Sequence, residues 1–251
     1  MIARSRMPGS AENVLRRVRR EVHALCANGI SIVQHRYRCA TGEDIHVRPS
    51  VRRRKLALGS GDGRWVICPD RLSSKSVVYS LGIGTNITFD LDLIRRFGCT
   101  VQAFDPTPVA IEWLKTQNLP VGFVVHPWGL AAYDGSAQFV LPEKHSVSFL
   151  MSNEVASKAV AQCPVYRLPS IRGLLGHDRV DLLKIDIEGA EYDVSDDLVF
   201  ESPLIDQLVL EFHHRWSRSP SRTAQVVNRL EECGLRLFHV SSRGLEYSFA
   251  R

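Results

Sequence analysis

Short apolar runs that alternate with amphipathic stretches constrain the fold of this chain more than any other feature of its sequence. The apolar runs, which have the length of buried strands, lie at 77–81, 101–104, 121–125, 180–187 and 207–212. Apolar residues at helical spacing lie between or after them, at 89–97, 108–117, 193–200 and 221–233. Strands that alternate with helices predict an α/β fold with a mainly parallel sheet, covered by helices on both faces.

The C-terminal part of the chain predicts a different kind of strand pairing. Two further apolar runs, 235–240 and 245–249, are separated only by the turn 241–244, which ends in a glycine. A connection this short joins antiparallel strands. We therefore expect a C-terminal hairpin that adds an antiparallel edge to the sheet, and a small extra strand at 139–141.

The basic residues of the chain are concentrated near its N-terminus. Residues 1–75 hold 16 Lys and Arg against 6 Asp and Glu, a net charge of +10, whereas residues 76–251 hold 16 against 21, a net charge of −5. The predicted organisation is a small basic extension at 1–58 and a main domain at 59–251. The extension could form a lid, or it could bind an anionic acceptor or another polyanion, although a solvated Arg-rich helix explains the charges more simply.

Within the extension the pattern predicts local structure. We expect a helix at 11–28, short strands at 30–33 and 45–47, a basic run at 52–55 and a flexible glycine turn at 59–63. Apolar residues at helical spacing and an Arg-rich opposite face indicate the helix, whereas alternation of apolar residues indicates the strands.

Composition excludes several classes of protein. Hydrophobic residues make up 44% and charged residues 24% of the chain, which excludes wholesale disorder. No stretch approaches the ~18 apolar residues of a membrane-spanning helix. The six cysteines form no C-x-x-C pair, so neither a zinc site nor a disulfide framework is indicated. A reducing, cytoplasmic location is the expectation.

A glycine turn follows the first predicted strand, where an open parallel sheet binds its ligand. Gly82 and Gly84 let the backbone turn sharply and approach a ligand closely, and Thr85 and Asn86 follow them. A dinucleotide fingerprint needs a third glycine where this chain has Ile87. A nucleoside that lacks a pyrophosphate does not need that glycine.

An acid ends the second predicted strand. Asp105 lies 23 positions after Gly82, where a carboxylate can accept hydrogen bonds from both ribose hydroxyls, or else cap the next helix. Trp128 and Gly129 follow the third strand, and the indole could flank an adenine ring or pack in the core. The glycine turn and the acid favour an adenosine-type ligand, and they leave both NAD and S-adenosylmethionine open.

The densest polar cluster follows the fourth strand. Alternation along this strand places Lys184, Asp186 and Glu188 on one side. A charged row in a buried strand is costly unless the charges are paired or functional. A salt bridge from Lys184 with a helix-capping acid is therefore the alternative to a catalytic role for the two carboxylates.

Two more polar side chains share a face after the fifth strand. Glu211 and His213 are expected to converge with Asp186, because the fourth and fifth strands are predicted neighbours. A histidine near a carboxylate is a reasonable general base near neutral pH. Three scattered ligands are poor evidence for a metal, so none is assigned. His214 points the other way, and we expect it to be structural or solvent-exposed.

Five segments resemble class I S-adenosylmethionine-dependent methyltransferases, and more narrowly the FkbM type. The most specific is DLLKIDIEGAEYDV at 181–194. The others are GSGDGRWVICPDRL at 59–72, VVYSLGIGTNITF at 77–89, AFDPTP at 103–108 and IDQLVLEFHHR at 205–215. The resemblance spans roughly residues 59–251, and its segments follow the expected order.

The resemblance implies a Rossmann-like fold with a seven-stranded sheet, and S-adenosyl-L-methionine as the cofactor. It places Gly82 and Gly84 against the amino acid part of the cofactor, and Asp105 at its ribose. The predicted cofactor-binding residues are Gly82, Gly84, Thr85, Asn86, Asp105, Trp128, Gly129 and Asp186. The predicted catalytic residues are Asp186, His213, Glu211 and Glu188. The chain departs from many class I enzymes at Ser80, where they carry an acid.

The implied function is O-methylation of a hydroxyl on a sugar, a glycolipid or a natural product, with His213 or Asp186 as the base. Partners are thus a small-molecule or glycan- or lipid-linked acceptor, and nucleic acid is not indicated. One alternative is an NAD(P)-dependent oxidoreductase, which shares the fold but needs the third glycine and a Tyr-x-x-x-Lys type of pair. The other is a polyanion-binding module that uses the basic N-terminal segment.

Overall fold

The computed structural model describes residues 29–140, 150–152, 159–217 and 220–251. The helix predicted at 11–28 lies outside these residues. The strands are β1 (Leu56–Leu58), β2 (Trp65–Ile67), β3 (Val77–Leu81), β4 (Thr100–Phe104), β5 (Phe123–His126), β6 (Gly129–Leu130), β7 (Gly135–Val140), β8 (Leu150–Ser152), β9 (Ala159–Tyr166), β10 (Leu182–Ile185), β11 (Gln207–Glu211), β12 (Arg236–Val240) and β13 (Glu246–Ala250). The helices are α1 (29–41), α2 (Thr88–Phe97), α3 (Pro108–Lys115), α4 (Leu168–Leu174), α5 (Ser195–Glu201), α6 (His214–Ser217) and α7 (Pro220–Glu232).

The central sheet has seven strands in the order β12-β13-β11-β10-β3-β4-β5. The pairs β3–β4, β4–β5, β3–β10 and β10–β11 are parallel, whereas β13 is antiparallel to both β11 and β12. The expected α/β fold, a mainly parallel sheet with a C-terminal hairpin, is confirmed. The hairpin differs from the prediction in one respect. Its strand β13, which is antiparallel to both neighbours, lies inside the sheet, and β12 forms the edge.

The two faces of the sheet carry separate cores. Tyr79 points to the face covered by α4, α5 and α7, where it belongs to one cluster with Leu198 and Leu230. The neighbouring Val78 points to the opposite face and packs in a second cluster with Phe89 of α2, under α2, α3 and β2. Each large apolar side chain buried in this way contributes about 1.5–3 kcal/mol. Burial on both faces explains why the central strands read as continuous apolar runs.

A second sheet extends one end of the molecule. It has four strands in the order β6-β9-β7-β8. The strand expected at 139–141 corresponds to only a part of β7. Ala131, Phe139 and Val165 form its small core. The rest of this sheet and the β1–β2 hairpin at 56–67 were not predicted, and the strands β1, β2, β6 and β8 have only two or three residues each.

Two predicted strands are wrong. Residues 30–33 belong to helix α1, and no strand forms at 45–47. β-branched residues form a strand only where a partner strand is available, and Ile30 and Val33 instead lie exposed on the helix surface. The fourth strand spans Leu182–Ile185 rather than 180–187, and Glu188 beyond its end has a left-handed φ of +54°.

The described part of the chain contains no helix that is long and apolar enough to cross a membrane. Its cysteines, at positions 39, 68, 99, 163 and 233, are free thiols. The division into an extension at 1–58 and a domain at 59–251 stays a prediction.

Candidate active site

The topology of the sheet creates a crevice between β3 and β10. From β3 the chain runs outward through β4 to β5, and it later returns to β10 and β11 on the other side of β3. Open α/β sheets bind ligands at such a switch point, outside the carboxyl ends of the strands. The backbone N–H of Asp186 donates to the Leu81 carbonyl at 3.0 Å, so the two strand ends stay together up to the first residue of the site.

Gly82 is required by this close approach. Its φ is +73°, and a Cβ at this position would lie 1.7 Å from the carbonyl oxygen of Asp186. A side chain of any kind would therefore push the glycine turn away from β10. A Cβ at Gly84 would instead meet nothing within 4 Å. The turn thus presents bare backbone to open space, as a nucleoside site requires.

Asp105 connects the glycine turn to the start of α3. One carboxylate oxygen accepts a hydrogen bond from the Gly84 N–H at 2.9 Å. The other accepts from the Thr107 N–H at 2.9 Å and from the Thr107 hydroxyl at 2.5 Å. Thr107 itself is the N-cap of α3, so the alternative of Asp105 as the helix cap is wrong. Since a carboxylate has about four acceptor positions, Asp105 retains one for a ligand hydroxyl.

Asn86 lines the site, but its amide is engaged by the protein. The amide nitrogen donates to the Ser60 carbonyl at 3.0 Å and to Asp62 at 2.6 Å. The amide oxygen accepts from the Thr88 hydroxyl at 2.7 Å. Asn86 therefore fastens the loop 59–63 to the glycine turn, and that loop is not the free flexible turn that its glycines predicted. Thr85 lies beside it in the lining of the site.

Trp128 and Gly129 form part of the opposite wall. The Trp128 ring packs 4.8 Å from His126 and 5.3 Å from Tyr166, measured between ring centroids. A Cβ at Gly129 would lie 2.9 Å from Cγ1 of Val165. Trp128 therefore packs against its neighbours and also lines the site, and its contact with an adenine ring stays a prediction.

Lys184 belongs to the site rather than to a simple salt bridge. Its Nζ donates to the Gly82 carbonyl at 2.6 Å, and it lies 4.0 Å from the nearest carboxylate oxygen of Asp186. The ammonium also lies 5.4 Å from the centre of the Trp65 ring, a distance at which a cation is attracted to an aromatic face. The alternative ion pair is thus loose, and the lysine mainly supports the glycine turn.

His213 lies at the centre of a group of carboxylates. Its Nδ1 is 2.8 Å from Glu191, a fully buried side chain. Its Nε2 is 3.3 Å from Glu188 and 4.0 Å from Asp186. Glu188 reaches this position from a left-handed backbone conformation, and such strain is typical of functional sites. Glu211 completes the group from the end of β11 and is contacted by Arg243 at 3.4 Å.

This group sets the charge state of its members. Burial lowers the pKa of His213, but hydrogen bonds to Glu188 and Glu191 and the charges of Glu191 and Glu211 outweigh it and raise the pKa to about 11. Burial raises the pKa of Glu211 to about 7, with a further contribution from the charge of Asp186 against the opposing charges of Arg243 and His213. Burial also raises the pKa of Asp186. At neutral pH His213 is a cation, and Glu211 is close to its titration midpoint.

All the predicted site residues line a single cavity of about 440 Å³, within the ≈ 300–1,000 Å³ of ligand pockets. The tertiary structure therefore unites the predicted cofactor and catalytic residues. Sequence reasoning missed several further lining residues, namely Asp62, Trp65, Trp216 and Arg243. It also assigned no role to Glu191, although the EGAE segment that contains it was part of the most specific resemblance.

His214 and the basic run have their own surroundings. His214 is fully buried and bonded to Asp44 at 2.7 Å, so it is structural and not solvent-exposed. The run at 52–55 does not contribute to the cavity lining. Asp186, Glu211 and His213 offer ligand atoms within 4.8 Å of one another, a spacing that could hold a metal ion. The sequence assigned no metal ligands, and that assignment stays a prediction.

Comparisons with known proteins identify the family of this chain. Residues 82–237, more than half of the chain, match the model of the Methyltransferase FkbM domain. The chain is 28% identical over 195 residues to a human protein described as probable methyltransferase-like protein 24, covering 70% of this chain and 47% of that protein. The rat protein of the same description is 27% identical over 194 residues, covering 70% and 48%. The chain thus spans about half the length of the curated relatives it matches.

Two solved structures are also similar. The FkbM methyltransferase of Methylobacillus flagellatus has a TM-score of 0.46 at 15% identity, covering 72% of this chain and 44% of that one. The Aeropyrum pernix fibrillarin, solved with natively bound S-adenosyl-L-methionine, has a TM-score of 0.41 at 11% identity, covering 71% and 66%. The family match confirms the expected S-adenosyl-L-methionine cofactor and disfavours the nicotinamide alternative. The chain belongs to the FkbM family of methyltransferase domains.

Proposed function

We propose that this chain transfers a methyl group to a hydroxyl of a sugar, a glycolipid or a natural product. The observation that carries the proposal is Glu211, a buried carboxyl group with a pKa of about 7 in the same cavity as the glycine turn. A general base works best when its pKa lies near the working pH. A carboxylate in this position can accept the proton that a hydroxyl loses on methylation.

The residues around the cavity fit the cofactor. Gly82 and Gly84 would accommodate its amino acid part, Asp105 would accept a hydrogen bond from its ribose, and Lys184 supplies a cation beside the glycine turn. Ser80 stands where many class I enzymes carry an acid, and the cationic Lys184 cannot replace that acid toward the amino group of the cofactor. When bound, S-adenosyl-L-methionine supplies a methyl carbon that is already electrophilic because it is attached to a sulfonium.

The remaining residues would orient the acceptor and take its proton. His213 is held by Glu191 and is cationic, so it donates hydrogen bonds and cannot serve as the base expected of it. Glu211 would accept the proton of the acceptor hydroxyl, and the cofactor would supply the methyl group and leave as S-adenosylhomocysteine. Asp186, at the end of β10, lies where it can stabilise positive charge. Holding the reactants in line can supply roughly 7–11 kcal/mol of the barrier in the best cases.

The wall of the cavity favours a neutral polyol such as a sugar ring as the acceptor. Trp216 lines the cavity with 56% of its surface exposed, and its ring centre is 4.4 Å from that of His213. An exposed indole offers an apolar platform, and the adjacent carboxylates of Asp186, Glu188 and Glu211 offer acceptors for several hydroxyl groups. The basic segment at 1–58 remains a candidate surface for an anionic acceptor.

The cofactor part of the proposal is tested by calorimetric titration of the full chain with S-adenosylhomocysteine, with NADH in parallel. We expect saturable binding of S-adenosylhomocysteine alone. Asp105→Ala should weaken it by about 10- to 100-fold, the worth of a charged hydrogen bond. Asp196→Ala, which removes an exposed carboxylate from α5, is the matched control and should bind normally. Binding of NADH, or of neither ligand, would contradict the proposal.

The acceptor part is tested by transfer of a labelled methyl group from S-adenosylmethionine to a panel of sugars, glycolipids and polyol natural products. Alkali-stable label in the acceptor identifies an ether, the product of O-methylation. Label on nitrogen or sulfur instead, with acceptors of those classes included in the panel, would overturn the hydroxyl assignment while leaving the methyltransferase family intact.

A further inference from the structure

A buried carboxylate from the N-terminal segment fastens the turn that carries His213. Asp44 follows α1, and its side chain is fully buried. One of its oxygens lies 2.7 Å from Nε2 of His214, and the other accepts from Nε and Nη2 of Arg215 at 2.9 and 2.6 Å. His214 and Arg215 are the two residues directly after His213.

A second route connects the same carboxylate to Glu211. Arg215 donates to the backbone carbonyl of Arg243, and the Arg243 guanidinium lies 3.4 Å from Glu211. His35 of α1 also packs against the turn 241–244, because a Cβ at Gly244 would lie 2.2 Å from its imidazole. The segment therefore contacts both turns that hold the acceptor side of the cavity.

The buried groups that contact Asp44 are themselves hydrogen-bonded to further groups of the core. Nδ1 of the buried His214 lies 3.3 Å from the Thr223 hydroxyl, which in turn lies 2.8 Å from the Tyr192 hydroxyl. Burial tends to raise the pKa of Asp44, but hydrogen bonds from His214 and Arg215 outweigh it and hold the pKa well below its ordinary range. Loss of one partner of such a buried pair leaves an uncompensated charge, and the turn must then move.

We propose that Asp44 is a positioning residue of the active site, which holds His213 through His214 and Arg215 and holds Glu211 through Arg243. The match to the family begins at residue 82, so this group comes from outside the matched region. Its effect on catalysis rests on the proposed function, whereas its effect on the geometry of His213 does not.

The test is nuclear magnetic resonance of histidine-labelled protein at a series of pH values, with the His213 signals identified from a His213→Gln variant. In Asp44→Asn the pKa of His213 should fall by about one unit or more, because the imidazole leaves the carboxylates that hold it. The carboxylates that face it are Asp186, Glu188, Glu191 and Glu211. Asp197→Asn, which breaks the ion pair of a buried carboxylate on α5 with the half-exposed Arg167 at 2.5 Å, is the matched control and should leave His213 unchanged.

A second variant keeps the test decisive if Asp44→Asn does not fold. Arg215→Met removes a half-buried partner and leaves the bond from Asp44 to His214 in place, and it should shift the His213 signals in the same direction. Unchanged His213 titration in every variant that folds, with only a lower melting temperature, would show that Asp44 is merely structural. Calorimetry with S-adenosylhomocysteine tests the proposed function separately, since each folded variant should bind it within about threefold of wild type.

Discussion

At the scale of single residues, the site assigns opposite charge states to two neighbours. His213 is surrounded by carboxylates and keeps its proton, whereas Glu211 is buried and has a pKa of about 7. Where the surroundings of two neighbouring groups shift their pKa values in this way, one group commonly acts as the acid and the other as the base. The sequence predicted His213 or Asp186 as the base, and the surroundings of Glu211 make Glu211 the better candidate.

We expect Glu211→Gln to lower kcat/KM for methyl transfer by about 10²- to 10⁴-fold, the usual contribution of a general base. In the wild type, kcat/KM should rise with pH through about 7, because only the deprotonated Glu211 accepts a proton. The variant should lose this rise and still bind S-adenosylhomocysteine normally. Glu112→Gln, an exposed control on α3, should retain both rate and profile. A Glu211→Gln enzyme with the wild-type pH profile would exclude Glu211 as the base.

At the scale of elements, the site depends on how two strand ends and one loop meet. β3 and β10 approach so closely at Gly82 that the glycine has no room for a Cβ. The loop 59–63 is fastened to the glycine turn by Asn86 and brings Asp62 to the cavity. The cofactor side of the site is thus formed where the ends of β3 and β10 meet the loop 59–63.

Substitution of Gly82 by alanine should abolish cofactor binding and destabilise the fold. The Cβ would lie 1.7 Å from the Asp186 carbonyl, and the left-handed backbone costs a further 1–2 kcal/mol or so. Gly173→Ala is the matched control, because a Cβ there meets nothing within 4 Å. Thermal unfolding and calorimetry with S-adenosylhomocysteine measure both effects. Normal binding by Gly82→Ala would refute the close approach of the two strand ends.

Asn86→Ala should loosen the loop 59–63 without unfolding the sheet. Hydrogen exchange of the amides at 60–63 should become faster, since the bonds to Ser60 and Asp62 are lost. Affinity for S-adenosylhomocysteine should fall about tenfold, the effect expected when one hydrogen-bond partner is removed. Gln117→Ala, whose amide nitrogen bonds to Trp113 and Thr116 near the end of α3, serves as the control. Unaltered exchange at 60–63 would show that Asn86 does not hold the loop.

At the scale of the whole molecule, the segment 29–51 is joined to the rest by contacts of long sequence separation. Asp44 binds α6, Val47 packs on the larger core, and the backbone N–H groups of Ser50 and Val51 donate to the Leu237 carbonyl. A segment outside the matched family region therefore forms one structure with the residues of the site.

The stability of this junction should depend on pH. The pKa of Asp44 is lowered on folding, so its contribution is present in full above its ordinary value of 3.8 and is lost as the pH falls below it. At pH 7 Asp44→Asn should unfold about 5–10 °C below wild type, as expected for a broken buried pair. The difference should shrink progressively under acid. A gap that stays constant down to acid unfolding would contradict the assigned ion pair.

The sequence by itself determined the class of fold and eleven of the residues that line the cavity. Periods of two and 3.6 residues are local properties, and residues directly after parallel strands must lie at one edge of the sheet. Gly82, Asp105, Asp186 and Glu211 could thus be predicted to line the cavity before any contact was known. The same local reasoning failed at 30–33, where β propensity had no partner strand to act on.

Only the tertiary structure decided the protonation states of the site residues and the contacts that position them. The pairing of Glu191 with His213, the hold of Asp44 on the following turn and the approach of Arg243 to Glu211 all join residues far apart in the chain. A pKa depends on burial and on neighbouring charges, which no sequence spacing encodes. The sequence therefore identified many of the groups in the site, and the tertiary structure added Glu191 and Arg243 and decided which group holds the proton.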